Sequence, residues 1–157
     1  MKIKSAKAKG RNLQNLVRDK LRSIFVDLWT KMPRLEYDDI KSQTMGMGGE
    51  DIILSPIAKK LIPYSFECKN TERLNLWGSL KQCEDNCEDR DPVLVIKRNR
   101  SDVYVVMKFD KFINQLGYLI KQYIEFKGDV KDFHEYQQEI LSARKKITEG
   151  LDEKTIR

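Results

Sequence analysis

Three polar residues, at the ends of two neighbouring apolar segments, have the types and spacing of a site that could cleave phosphodiesters. Asp51 begins the segment D-I-I-L, and Glu67 and Lys69 end the segment Y-S-F-E-C-K. Side chains alternate along a strand, so Glu67 and Lys69 should share one face and Cys68 should lie on the other. Two converging carboxylates can hold one hard divalent cation, and a lysine beside that cation would face the negative charge of a phosphate.

The convergence of Asp51 and Glu67 depends on how the two segments pair. We expect a hairpin with residues 55–63 as its loop, because a serine and two prolines in that stretch favour a connection. Pairing Leu54 with Tyr64 then places Asp51 opposite Glu67, with Cβ atoms about 5 Å apart. The plainer alternative is that acidic residues end strands at solvent and that Glu-x-Lys forms an ordinary exposed ion pair.

The composition is that of a soluble globular chain. The 157 residues are 40% hydrophobic and 34% charged, which suits one domain that buries a core without covalent staples. No apolar run approaches the roughly 18 residues of a membrane span, and the basic N-terminus lacks the apolar stretch of a signal peptide. Cys68, Cys83, Cys87 and the distant His134 do not match a zinc motif, so we expect reduced thiols and a cytoplasmic protein.

Basic residues are concentrated in two places. The formal net charge is +6, and residues 1–22 contain eight lysines and arginines against one acid. A second cluster, K-R-N-R at residues 97–100, ends an apolar run. A polyanionic partner would explain both clusters, although charge runs are also common on solvated faces. The candidate phosphate contacts are Lys7, Lys9, Arg11, Arg18, Lys97, Arg98 and Arg100.

Hydrophobic periodicity predicts a mixed α/β chain. A flexible basic arm over residues 1–9 precedes an amphipathic helix over 11–29, and Pro33 ends that element. Strands follow at 38–44, 51–54 and 64–69, then a helix at 74–87, two strands at 92–97 and 102–109 with a turn at 99–101, and a helix at 110–127. We therefore expect a sheet with helices on both faces in residues 1–128, and a C-terminal helical extension over 129–157.

Several motifs together resemble the PD-(D/E)XK nuclease superfamily, and within it the small phage-type Holliday-junction resolvases. They are a basic first helix (K-G-R-N-L-Q-N-L-V-R-D-K-L), a G-G-E-D strand, an E-C-K-N strand, an L-N-L-W helix and a K-R-N-R-S hairpin. The resemblance extends from about Gly10 to Phe112. It implies a restriction-endonuclease-like fold, in which helices flank a mixed β-sheet core, with extra C-terminal helices in this chain.

The resemblance also implies roles for individual residues. Asp51, Glu67 and the main-chain carbonyl of Cys68 would bind Mg²⁺, with Mn²⁺ as an expected substitute. Lys69 would orient the attacking water or stabilise charge on the phosphate. The Pro-Asp pair of the superfamily is Glu50-Asp51 in this chain, so either carboxylate could be the ligand. Strand parity favours Asp51 and leaves Glu50 as an auxiliary.

Two glutamines occupy positions that relatives use near the site. Gln82 lies on the second predicted helix, where some relatives direct a glutamine towards the metal. Gln14 lies on the first predicted helix, where relatives often carry a glutamate ligand. An ordinary surface position is the simpler interpretation of each glutamine.

The activity that the resemblance implies is Mg²⁺-dependent hydrolysis of branched DNA by a homodimer that cuts two strands. An exonuclease or a restriction-type endonuclease of the same fold stays open, although a separate specificity domain is missing. A non-catalytic DNA-binding module would share the basic clusters but cleave nothing. Charge clusters alone do not distinguish DNA from RNA.

Overall fold

The computed structural model describes residues 3–26, 36–44, 46–87, 89–127, 138, 141 and 142. The chain divides into two compact units, residues 1–111 and residues 112–157, and the first unit contains all the strands of the described residues. Residues 138, 141 and 142 of the predicted C-terminal extension are helical. The rest of that extension, His134 included, lies outside the described residues.

A long amphipathic helix, α1 (Ile3–Ile24), begins the first unit. Leu13, Val17 and Leu21 recur at every fourth residue and pack into the core, as the apolar stripe predicts. The flexible arm predicted for residues 1–9 is wrong from residue 3 onwards, because K-S-A-K-A-K contains no helix breaker and simply extends α1. The predicted end of this element at Pro33 lies outside the described residues.

A two-stranded antiparallel sheet follows α1 in the chain. The first residue of β1 (Ile40–Ser42) pairs with the last residue of β2 (Ile52–Leu54). Ile40 of β1, and Ile52 and Leu54 of β2, are buried in the same core as the α1 stripe. A 3-10 turn at Tyr37–Asp39 precedes β1, so the strand predicted at 38–44 is shorter than expected.

The predicted hairpin between the D-I-I-L and Y-S-F-E-C-K segments is wrong. β2 pairs with β1 instead, and the predicted loop contains the short helix α2 (Pro56–Leu61). The Ser55 hydroxyl caps α2 by accepting a main-chain N–H of its first turn, and Pro56 occupies the first helical position, where its missing N–H costs nothing. A helix between the two segments therefore replaces the turn that a hairpin needs.

The Y-S-F-E-C-K segment, β3 (Tyr64–Asn70), lies at the edge of a three-stranded mixed sheet. It pairs in parallel with β4 (Asp91–Lys97), which pairs antiparallel with β5 (Tyr104–Val106). Parallel neighbours need a crossover, and α3 (Leu76–Asn86) supplies it, with Asn75 as its N-cap. The predicted sequence of strands and helices in this part of the chain is confirmed.

Opposite faces of β3 and β4 pack against different helices. Phe66 and Cys68 join the core that contains the α1 stripe. Glu67 lies on the other face, where α3 packs with Ser79 and Cys83 buried. The α/β class with helices on both faces of a mixed sheet, as in a restriction-endonuclease-like core, is thus confirmed.

The last long helix, α4 (Phe109–Lys127), begins one residue before its predicted start and ends where predicted. Its apolar stripe is exposed along much of its length. The exposed members are Phe112, Ile113, Leu116, Leu119, Ile120 and Ile124. None of the helices in the described ranges is long and apolar enough to span a membrane.

Candidate active site

Glu67 and Lys69 lie side by side on the face of β3 that α3 covers. The Lys69 ammonium donates hydrogen bonds to Glu67 Oε1 at 2.6 Å and to Gln82 Oε1 of α3 at 2.8 Å. Cys68 lies between them in sequence and buries its thiol in the core on the opposite face. The structure therefore has the predicted alternation of these three side chains.

Asp51 reaches the same region by a different route from the predicted hairpin. It immediately precedes β2, and its main-chain N–H donates to Phe66 O at 3.0 Å. Its carboxylate accepts the Cys68 N–H at 2.6 Å and Gln14 Nε2 of α1 at 2.5 Å. These contacts hold Asp51 against the β3 backbone, so it converges with Glu67 although the two strands form no ladder.

The two carboxylates carry their charge in a poorly solvated place. Burial raises the pKa of Asp51 and of Glu67, and the negative charge of Asp51 raises the pKa of Glu67 further. Hydrogen bonds and the Lys69 ammonium lower both pKa values, but they do not cancel the effect of burial. An additional cation beside the pair would offset the repulsion between the two carboxylates and the cost of burying their charge.

The oxygen atoms at this position fit a hard divalent cation. Mg²⁺ usually binds through one or two carboxylates, with water and phosphate oxygens completing its shell. Asp51 and Glu67 supply the carboxylates, and Gln14 Oε1 is buried without a hydrogen-bond partner among the described residues. The same ranges contain no group of three or more Asp, Glu, His or Cys side chains that could hold a metal, so the candidate set is this smaller one.

Glu50 contacts a different group from those that Asp51 contacts. Its carboxylate forms a buried ion pair with Arg90 Nη2, and Arg90 Nη1 donates to Tyr64 O at 2.7 Å. The Arg90 guanidinium therefore connects the residue before Asp51 to the first residue of β3. Sequence reasoning missed this contact, because Arg90 lies inside an otherwise acidic stretch. The auxiliary role of Glu50 at a metal stays a prediction.

Amide side chains from two helices complete the surroundings of the carboxylates. Gln14 is only 5% exposed, so its interpretation as an ordinary surface glutamine is wrong. Gln82 is exposed, but its side chain holds the lysine ammonium. Asn86, which sequence reasoning missed, donates to Glu67 Oε2 at 3.4 Å and to Gly49 O at 3.1 Å. Its spacing of four residues from Gln82 places both on one face of α3, a signal that could have identified it.

The basic residues of α1 flank the glutamine that contacts Asp51. Arg11 and Arg18 are three and four residues from Gln14, so all three lie on one side of the helix. Arg18 also pairs with Asp19, with Nε and Oδ1 at 2.8 Å. Lys7 is exposed one turn before Arg11. Lys7 and Arg11 therefore present positive charge before Gln14 in the helix, whereas the charge of Arg18 after it is paired with Asp19.

The second basic cluster lies at the end of β3 that carries Lys69. Lys97 is the parallel partner of Asn70, the residue directly after Lys69. Arg98 and Arg100 are exposed in the turn between β4 and β5, where Arg100 adopts the left-handed conformation with φ of 56°. The predicted turn at 99–101 is confirmed, and it places these guanidinium groups beside the strand ends.

Lys9 connects the two basic clusters. Its ammonium donates to Asn99 Oδ1 in the β4–β5 turn at 2.6 Å, and its carbonyl accepts from Asn70 Nδ2 at 3.1 Å. The candidate phosphate contacts therefore belong to two adjacent elements, the basic half of α1 and the β4–β5 turn, rather than to separate surfaces.

We expect Asp51→Asn to stabilise the metal-free protein at pH 7. Burial raises the folded-state pKa of Asp51 above its unfolded value, so the ionised group opposes folding once the pH exceeds the folded pKa. The amide removes that charge, and Gln14 can turn so that its unpaired Oε1 accepts the new N–H. The gain in melting temperature in EDTA should be at least about 2 °C at pH 7 and should shrink as the pH falls through the folded pKa.

Melting curves of wild type and variant between pH 4 and pH 8 would measure this difference. A variant that is less stable than wild type at pH 7, or a gain that grows as the pH falls, would contradict the electrostatic account. Repeating the pH 7 comparison with Mg²⁺ should reverse the order, because only wild type keeps both carboxylates for a cation.

Comparison with known proteins identifies one family that matches the chain. The family described as "Phage putative PDDEXK endonuclease" matches the chain over residues 5–157, which extends beyond the range on which the sequence motifs rest. No curated protein and no solved structure matches the chain significantly. The match covers nearly the whole chain, and the chain belongs to this phage family of the PD-(D/E)XK nuclease superfamily.

Proposed function

We propose that this nuclease is a Mg²⁺-dependent endonuclease of branched DNA, of the Holliday-junction resolvase type. The observation that carries the proposal is the convergence of Asp51, Glu67 and Lys69 between two basic elements. Asp51 and Glu67 arrive from different parts of the chain and share one poorly solvated position. A buried carboxylate pair of this kind has little value for stability, whereas a metal-dependent hydrolase requires it.

The carboxylates and one main-chain oxygen would hold the cation. Asp51, Glu67 and the Cys68 carbonyl are the proposed ligands for Mg²⁺, with Mn²⁺ as the expected substitute. Bound there, the cation supplies charge stabilisation at the phosphoryl oxygen and lowers the pKa of a coordinated water. Gln14 helps to orient the Asp51 carboxylate, because its amide donates to one carboxylate oxygen while the main-chain N–H of Cys68 in β3 donates to the other.

Lys69 is the proposed partner of the reacting phosphate. Its ammonium has three N–H donors, and Glu67 and Gln82 occupy two of them. The third donor can face a phosphate oxygen or the attacking water, while the other two fix the direction of the side chain. A lysine held in this way stabilises charge that develops on the phosphate with little reorganisation.

The two basic elements would hold the DNA backbone on either side of the cut. Contacts of lysine and arginine with phosphates supply affinity and position without reading sequence. Selection of branched DNA would therefore depend on the shape of the backbone. One chain offers one candidate site in its described residues, so symmetric cutting of two strands would need two copies, and we propose a homodimer.

A cleavage assay on a panel of DNA structures tests the proposal. Purified protein would be incubated with linear duplex, nicked duplex, flap and four-way junction of the same sequence, in Mg²⁺, Mn²⁺, Ca²⁺ and EDTA. We expect paired nicks near the branch point of the junction in Mg²⁺ and Mn²⁺, and binding without cleavage in Ca²⁺. Digestion from duplex ends would indicate an exonuclease, and no cleavage of any DNA would indicate a binding module.

A further inference from the structure

An open cleft lies beside the proposed active site, where β4 turns into β5. Its volume is about 360 Å³, near the lower end of the range for ligand pockets, which is room for one nucleotide but not for a duplex. The groups of the lining that matter for a ligand include one aromatic ring, an apolar floor, a hydroxyl and two cations. These are Tyr104, Leu74, Ile96, Ser101, Lys97 and Arg98.

Strand register connects this cleft to Lys69. Lys69 pairs with Ile96 of β4, and Ile96 pairs with Tyr104 of β5. Paired residues of neighbouring strands point to the same face, so these three side chains form one row across the sheet. With strands about 4.8 Å apart, Lys69 and Tyr104 are about 10 Å apart at Cα. At the duplex rise of about 3.4 Å per nucleotide, that span is about three nucleotide steps.

The groups that line the cleft suit a nucleotide. Tyr104 is 57% exposed on an edge strand, so one face of its ring is accessible for stacking. Lys97 donates to Ser101 O and keeps two further N–H donors for a phosphate. The one acid of the lining is Glu72. Its carboxylate accepts the Asn99 N–H at 2.7 Å and so stabilises the β4–β5 turn.

We propose that this cleft binds one unpaired nucleotide of the DNA strand, within about three nucleotides of the cleaved phosphate. Tyr104 stacks on the base, and Lys97 and Arg98 hold its phosphate. A base in a continuous duplex has both faces covered by its neighbours, whereas a base that is already unpaired enters at the lowest cost. The inference rests on the proposed function and adds to recognition of backbone shape a contact with one unpaired base, as at a flap or at a base pair that opens beside a branch point.

Binding of three matched DNAs tests the inference. They are a fully paired duplex, the same duplex with one unpaired adenine, and the same duplex with an abasic residue in place of that adenine. Affinities would be measured by fluorescence anisotropy in Ca²⁺ for full-length wild type, Tyr104→Phe and Tyr104→Ala. The matched control is Tyr118→Ala, which removes a tyrosine of similar exposure, 62%, from the second unit.

Wild type should bind the DNA with the unpaired adenine at least about fivefold more tightly than the paired duplex. The abasic DNA and Tyr104→Ala should each lose that preference, while Tyr104→Phe and Tyr118→Ala should keep it. Unchanged affinity of Tyr104→Ala for the paired duplex would show that the variant is folded. The inference would be overturned if Tyr104→Ala still preferred the DNA with the unpaired adenine, or if wild type bound the abasic DNA as tightly as that DNA.

The same experiment separates this inference from the proposed function. A wild-type protein that binds paired and unpaired DNA equally, yet still cleaves junctions in Mg²⁺, would overturn the nucleotide cleft alone. A wild-type protein that binds none of the three DNAs, and neither binds nor cleaves a four-way junction, would overturn both.

Discussion

Lys69→Ala and Asp51→Asn should each reduce Mg²⁺-dependent cleavage of a four-way junction by about 10²–10³-fold or more. Lys69→Ala removes the donor that faces the phosphate, and Asp51→Asn removes one of the two carboxylates that would hold the cation. Neither change removes a basic side chain of α1 or of the β4–β5 turn. Affinity for the junction in Ca²⁺ should therefore stay within a few-fold of wild type for Lys69→Ala. Single-turnover cleavage and anisotropy would measure the two quantities on the same DNA.

Lys60→Ala is the matched control for the lysine. It removes the same charge from an exposed position on α2, and cleavage should be close to that of wild type. A metal titration distinguishes the two site variants. Excess Mn²⁺ should recover part of the activity of Asp51→Asn, whose defect is weak metal binding, but not that of Lys69→Ala. Cleavage that survives both changes would contradict the assignment of the site.

Arg90→Met should lower the free energy of unfolding by about 3–5 kcal/mol, because it leaves the Glu50 carboxylate buried without its partner. The Arg90 and Glu50 side chains are 6% and 11% exposed, so little water can replace the lost contact. The Tyr64 carbonyl loses its Nη1–H donor in the same change. In a chain of this length we expect the melting temperature to fall by at least about 6 °C.

Two further variants separate the buried pair from a general effect of charge. Lys81→Met removes a cation whose partner Asp85 is exposed, at 3.1 Å between Nζ and Oδ1, and its cost should stay below about 1 kcal/mol. The double variant Glu50→Gln with Arg90→Met removes the unpaired charge and should recover part of the loss. Equal destabilisation by Arg90→Met and Lys81→Met, or a double variant no better than Arg90→Met, would contradict the role of this pair.

The ion pair also bears on the site. Arg90 joins the residue that precedes Asp51 to the first residue of β3, and β3 carries Glu67 and Lys69. At a temperature where the protein remains folded, a loosened connection would let the two carboxylates drift apart. We therefore expect Glu50 to help to position Asp51, a role that the comparison of Glu50-Asp51 with the superfamily's Pro-Asp pair did not indicate.

Local rules were sufficient for much of this protein. The opposite directions of Glu67 and Cys68 follow from the alternation of side chains in any strand, whichever strand is its neighbour. The helix at Leu76–Asn86 follows from a cap and a spacing of apolar residues, both confined to one short segment. The predicted loop at residues 55–63 already contained Ser55 followed by Pro56, a helix start that the interpretation as a loop overlooked.

Only the tertiary structure decided which residues come together in the site. The three-residue strand at Ile52–Leu54 is apolar enough to pair with either neighbouring strand, and its sequence does not predict that it pairs with β1. Gln14 meets Asp51 across 37 residues, and Arg90 meets Glu50 across 40 residues. The sequence by itself determined the chemical types, the strand parity and the basic clusters, because capping, alternation and charge act within a few residues. Packing of α1 and α3 on opposite faces of β3 decided which of those groups meet, because contacts between distant segments depend on the whole core.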